Sequence, residues 1–156
     1  MVIRLNKLEF NPPVDFQLIC ICSTLKEYQI AMLLNAGLRF NLWRQPDVNA
    51  ESQEGQMPLY ARFQWDDNLA CREVMLLGNS PLVRQELARE GDLFGSETII
   101  LLIPELSKVD YLLQFTGNFE PEELEELREE LHSMPGIDLA YVCDPSSLKN
   151  ITPLLF

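Results

Sequence analysis

The chain has 156 residues, with 24 Asp plus Glu against 12 Lys plus Arg and a formal net charge of −12. Its 47% hydrophobic and 23% charged residues are ordinary for a folded globular protein and exclude wholesale disorder, a coiled coil or a collagen-like chain. The negative balance makes duplex nucleic acid and anionic lipid poor default partners, since binding either needs local positive charge.

A domain takes about 100–200 residues, so residues 1–156 are read as a single α+β domain with a polar loop at about 45–57. The start, Met1-Val2-Ile3-Arg4-Leu5-Asn6-Lys7, breaks its apolar residues with charges and holds no signal-peptide core. The longest purely aliphatic run, Ile99 to Ile103, is far short of the about 20 residues of a membrane span. Cys20, Cys22, Cys71 and Cys143 sit in apolar stretches, which predicts reduced, buried thiols and a cytoplasmic location.

Residues 2–10 and 16–22 read as strands separated by Asn11-Pro12-Pro13. The second is almost wholly apolar, as a central strand covered on both faces must be. Ser23 or Thr24 is the expected cap of a helix over Leu25–Ala36, with Glu27 near the capping-box position. Its stripe is Leu25, Tyr28, Met32 and Ala36, broadened by Ile30, Leu33 and Leu34, and Gly37 is its expected stop. Leu38 to Trp43 alternates like a strand. After the polar loop, Leu59 to Trp65 and Cys71 to Leu77 read as a hairpin turning at Asp66-Asp67-Asn68.

Ser80-Pro81 predicts a short helix through Arg89, stopped by Gly91. Thr98 to Ile103 reads as a strand, Pro104 to Lys108 as a connector, and Val109, Tyr111, Leu113 and Phe115 as one face of a further strand. The last helix starts at Pro121 with the stripe Leu124, Leu127 and Leu131. Phe119 and Leu124 have the spacing of a hydrophobic staple, and Met134-Pro135-Gly136 is the stop. Ile137 to Cys143 closes the series. The pattern predicts an α+β fold: a mainly antiparallel sheet with two principal helices packed on one face. Strand-helix-strand pieces at 16–43 and 109–143 suggest a ferredoxin-like arrangement.

Ile103-Pro104-Glu105-Leu106-Ser107-Lys108-Val109-Asp110-Tyr111 resembles the motif of the IPExxxVDY family, a bacterial group of the Bacteroidetes type. All six named letters stand at the named spacing. Ser23 to Tyr28 and Asn35 are similar to the family's first helix, and Leu148-Lys149-Asn150 and Leu154-Leu155-Phe156 to its closing segment. Met32 stands where a large aromatic is expected. The resemblance implies a small cytoplasmic protein without an assigned activity and brings no catalytic residues.

No Gly-rich phosphate loop or nucleophile elbow is present, and the cysteine spacing is not that of a zinc site. No cofactor, metal or catalytic residue is expected. The motif residues Ile103, Pro104, Glu105, Val109, Asp110 and Tyr111 are read as a structural joint. As an alternative, Glu105 and Asp110 form a carboxylate pair for general acid–base chemistry. Seven glutamates from Glu120 to Glu130, relieved only by Arg128, form a solvated face or a docking face for a basic partner, with Glu122, Glu125, Glu126 and Glu129 as candidates. The apolar ending Pro153-Leu154-Leu155-Phe156 is expected to pack back, or to bind a partner through Phe156. Phe40, Trp43, Tyr60, Phe63 and Trp65 are expected on neighbouring strands as core or interface. Together these features predict a non-enzymatic interaction module, a homodimer, without nucleic acid or membrane. The alternatives are a small-molecule-sensing domain and an enzyme using Glu105 and Asp110.

Overall fold

A computed structural model describes residues 15–49, 58–82 and 99–155. The expected strand at 2–10 and the expected helix at 80–89 lie wholly or mostly outside them. Six strands form one antiparallel sheet in the order β2-β3-β4-β5-β1-β6. They are β1 (Phe16–Cys22), β2 (Trp43–Asn49), β3 (Leu59–Asp67), β4 (Arg72–Gly78), β5 (Tyr111–Gly117) and β6 (Leu139–Cys143). Helix α1 (Glu27–Leu38) follows β1, and α2 (Pro121–Ser133) follows β5. The α+β architecture is the one the pattern predicts. β5-α2-β6 straddles β1, as in a ferredoxin-like unit. By contrast α1 leads from β1 to the far edge strand β2, with three strands between.

Both helices lie on one face. Ile30, Ala31 and Leu34 of α1 and Leu124 and Leu131 of α2 pack there with Ile19, Ile21, Leu76, Leu113, Phe115 and Ala140. The opposite face buries Leu18, Cys20, Tyr60, Met75, Leu77 and Leu112 under Leu102, Ile103, Val109 and Leu154. Continuous apolarity in β1 thus has its expected cause: a layer covers each side. No helix among the described residues is long and apolar enough to cross a membrane.

Several expectations are corrected. α1 starts at Glu27, and Lys26 is its cap position, where the Lys26 backbone N–H donates to Gln29 Oε1 at 2.9 Å. Ser23 instead receives the Leu25 N–H and donates its hydroxyl to the Gly136 carbonyl, tying the β1 exit to the end of α2. Gly37 lies inside α1, and Arg39 takes the left-handed conformation that ends it (φ 58°). The buried face of α1 is Ile30, Ala31 and Leu34, whereas Met32 is 68% exposed and Tyr28 is also exposed. Two apolar stripes run along this helix, and the sheet takes the aliphatic one.

The strand expected at 38–43 is the helix end and a loop up to Trp43, where β2 begins, and β2 runs on to Asn49 inside the expected polar loop. β2 is polar because it is an edge strand, and Pro46 falls at its bulge between Gln45 and Val48, where no ladder donor is needed. Residues 99–103 are not a strand: the places beside β4 and β5 are filled, so Leu102 and Ile103 cover the sheet instead. Val109 belongs to that second layer, not to the face of Tyr111, Leu113 and Phe115. The expected aromatic strand face is likewise split. Phe40 packs on Trp65 at 5.3 Å between ring centres, Tyr60 lies on the other side of the sheet, and Trp43 is exposed.

Candidate functional site

The motif segment is held by one buried side chain that sequence reasoning missed. Asn79, fully buried at the end of β4, accepts the Ile103 N–H at 2.8 Å and donates to the carbonyls of Leu106 at 3.0 Å and Val109 at 2.8 Å. Its backbone pairs with Asp110 and Leu102. Buried Asn79 therefore satisfies the peptide groups of a loop that crosses the sheet without joining it.

Ile103, Val109 and Tyr111 are buried, and Pro104 and Glu105 are exposed. Burial, with Glu27 and Asp110 nearby, pushes the Tyr111 phenol well above its usual range, and its hydroxyl donates to the Leu25 carbonyl. Asp110 Oδ2 accepts the Ser23 N–H at 2.8 Å. Glu105 does not pair with Ser107 or Lys108. Its Oε1 accepts the N–H groups of Lys149 at 2.7 Å and Asn150 at 3.2 Å, fastening the C-terminal segment. The two carboxylates therefore hold different segments. Only Asp110 lines the cleft of about 420 Å³ beside the motif, with Ser23, Thr24, Glu27, Ser80 and Tyr111.

All four cysteines are free, but they are not uniformly buried: Cys71 is exposed and Cys20 buried. Burial pushes the Cys20 thiol up to about 12, with Cys143 adding to the shift, and Tyr141 rises to about 12 for the same first cause. A thiol raised in this way, as Cys20 is, stays protonated and is a poor nucleophile. Among the described residues no group of three or more His, Cys, Asp or Glu is placed to hold a metal ion. His132 is exposed in the last turn of α2.

The acidic helix borders an apolar groove. Gln17, Pro121, Leu124, Glu125, Val142, Cys143, Asp144 and Pro145 surround a space of about 280 Å³ between the first turn of α2 and the end of β6. Glu122, Glu126 and Glu129 are exposed along the helix. Glu125 pairs with Arg128 at 2.5 Å, which also stands 3.8 Å from Glu129. Asp144 holds the Ser146 hydroxyl and N–H, and these bonds keep its carboxyl below its usual range. Of the apolar ending expected to pack back, Leu154 is in the core, Leu155 is exposed, and Phe156 lies outside the described residues.

No family model matches the chain, and no curated protein or solved structure matches it either.

The two edges of the sheet formed by the described residues differ. β2 carries Pro46, a bulge and the Arg44–Asp47 ion pair, devices that discourage strand addition. Among the described residues β6 pairs only with β1. Its five residues, Leu139-Ala140-Tyr141-Val142-Cys143, contain no proline or charge. Leu139 and Val142 are each 44% exposed.

Proposed function

We propose that this protein is a non-enzymatic, cytoplasmic interaction module that binds another polypeptide as an added strand on β6. The observation that carries the proposal is the β6 edge, apolar and unblunted among the described residues, set beside an acidic helix and a groove. An extended chain gains main-chain hydrogen bonds along such an edge, and neighbouring pockets supply specificity. The engagement of Glu105 and Asp110 with backbone groups favours this role over acid–base chemistry. The free thiols agree with a reducing compartment. Selection of displayed random peptides on the full chain, followed by amide hydrogen exchange, tests the role. Selected peptides should protect Leu139–Cys143, and Val142→Lys should lose them. Binders that protect other segments, or no binders, overturn it.

A second function is favoured by the cleft of about 420 Å³ beside Asp110 and Tyr111, which has room for a small-molecule effector. Its lining carboxylates Glu27 and Asp110 suit an amine. A thermal-shift screen of small amines, repeated on Glu27→Gln, tests it. Stabilisation of the parent chain that Glu27→Gln abolishes supports a sensor, and a screen without shifts removes it.

A further inference from the structure

We propose that the strand received by β6 is a foreign segment carrying lysine or arginine, whose basic side chain lies in the groove between α2 and β6. This rests on the β6 role proposed above and names the chemistry of the partner. The walls come from Pro121, Leu124, Val142 and Pro145, and the rim carries Glu125 and Asp144. A basic side chain matches both parts, because its methylenes cover apolar surface while its charged head reaches polar groups.

A third feature points the same way. Gln17 lines the groove, and its Oε1 is buried without a hydrogen-bond partner, while its Nε2 makes only a long bond of 3.5 Å to the Phe119 carbonyl. An unclaimed buried acceptor costs free energy until a donor arrives. A guanidinium or ammonium brings several donors and no acceptor. The rim carboxylates are already engaged, Glu125 with Arg128 and Asp144 with Ser146, so they add field and further acceptor capacity.

Self-association is the rival occupant, and charge disfavours it. Two-fold pairing of β6 centred on Tyr141 sets Asp138 of each copy opposite Asp144 of the other, a repulsive cross-strand pair. It also brings two copies of a chain of net charge −12 together. A basic foreign strand removes both costs and gains from the acidic face of α2.

The test uses the full chain and a labelled peptide, Ser-Val-Thr-Val-Arg-Val-Thr-Val-Ser, with versions carrying Glu or Ala in place of Arg. Fluorescence anisotropy measures binding, and hydrogen exchange locates it. The Arg peptide should bind, protect Leu139–Cys143 and weaken as salt rises. The Glu peptide should bind about tenfold or more weaker. Leu124 is core, so the groove is probed at exposed positions: Val142→Lys and Asp144→Lys should each weaken the Arg peptide without unfolding the chain, as circular dichroism checks. Equal binding of all three peptides with β6 protected overturns the basic-groove inference and leaves the β6 role standing. Protection of β6 by none of them, and by no selected peptide, overturns both. A concentration-dependent dimer whose interface is β6, seen by light scattering and exchange, overturns the foreign partner.

Discussion

The side-chain oxygen of Asn79 accepts the backbone N–H of Ile103 at 2.8 Å, and both groups are buried. That bond and its two companions hold the loop over the second face of the sheet, where Ile103 and Val109 close the core. Asn79→Ala leaves the buried Ile103 N–H and the Val109 carbonyl without partners, while the Leu106 carbonyl keeps the Val109 N–H. At about 1–3 kcal/mol for each orphaned group, with incomplete additivity, the variant should lose about 3–4 kcal/mol. Asn79→Asp keeps the acceptor and loses both donors, so it should be nearly as damaging. Urea unfolding of both variants measures this, and near-parental midpoints would show that the loop is held by other means.

Asp110 and Glu105 act as local clamps, and their variants should differ in reach. Asp110→Ala strands the buried Ser23 N–H and should cost about 1–3 kcal/mol. Asp110→Asn, which retains an acceptor, should cost less. Glu105 is exposed and holds the amides of Lys149 and Asn150, so Glu105→Ala should barely move the melting temperature. It should instead speed hydrogen exchange at Lys149 and Asn150. Melting of Asp110→Ala at or above the parental temperature would mark the cleft as a functional site held at a cost in stability.

Asp66 and Glu73 stand directly opposite one another on β3 and β4. Burial first, and Asp66 second, raise the Glu73 carboxyl above its usual range, with Arg62 acting against them. A carboxyl whose folded value is raised binds its proton more tightly when folded. Stability therefore rises as pH falls through that window, and the penalty is complete above the folded value. Glu73→Gln should raise stability by about 0.2–1 kcal/mol at neutral pH. The gain should shrink as pH drops through the raised value and vanish below the unfolded one. Thermal melts of both proteins from neutral to acidic pH check the sign.

What the sequence disclosed follows from where each element sits. β1 was legible because all its neighbours are protein, so apolarity alone marks it. α2 was legible because Pro121, the Phe119–Leu124 spacing and the Leu124/Leu127/Leu131 stripe all agree; the structure puts Pro121 in the first turn and buries Phe119, Leu124 and Leu131, with Leu127 half-buried. β2 was not legible, since an edge strand with exposed side chains has no reason to be apolar. In α1 the Tyr28/Met32 and Ile30/Leu34 stripes compete, and only the partner surface decides between them. Residues 99–103 misled because an apolar run that covers a sheet looks like one that joins it. The candidate site was least visible. Asn79 stands in an ordinary-looking Gly78-Asn79-Ser80 turn after a strand, and its partners lie 24 to 30 positions away. The β6 edge becomes a feature only once the strand order is known.

Helix α2 separates packing from charge, and its variants should do so too. Leu131 is fully buried, while Leu127 is half-buried at the border of the core. Leu131→Ala should cost about 2–5 kcal/mol, the usual loss for a core leucine. Leu127→Ala should cost about 1–2 kcal/mol, because less apolar area leaves the core. Glu125 and Glu129 share Arg128 at the surface, and exposed pairs are worth little. Replacing both with Gln should therefore move stability by less than about 1 kcal/mol. Glu123 is different: its carboxylate grips Arg72 through two bonds, of 2.6 and 2.9 Å, and the Arg72 guanidinium lies 4.7 Å from the Phe119 ring centre. That contact ties the first turn of α2 to the start of β4, so Glu123→Gln should cost more than the other two replacements together. Denaturant unfolding of the four variants ranks them. A Glu125/Glu129 variant less stable than Leu127→Ala would reveal a structural role for the acidic face and weaken the case for a face reserved for a partner.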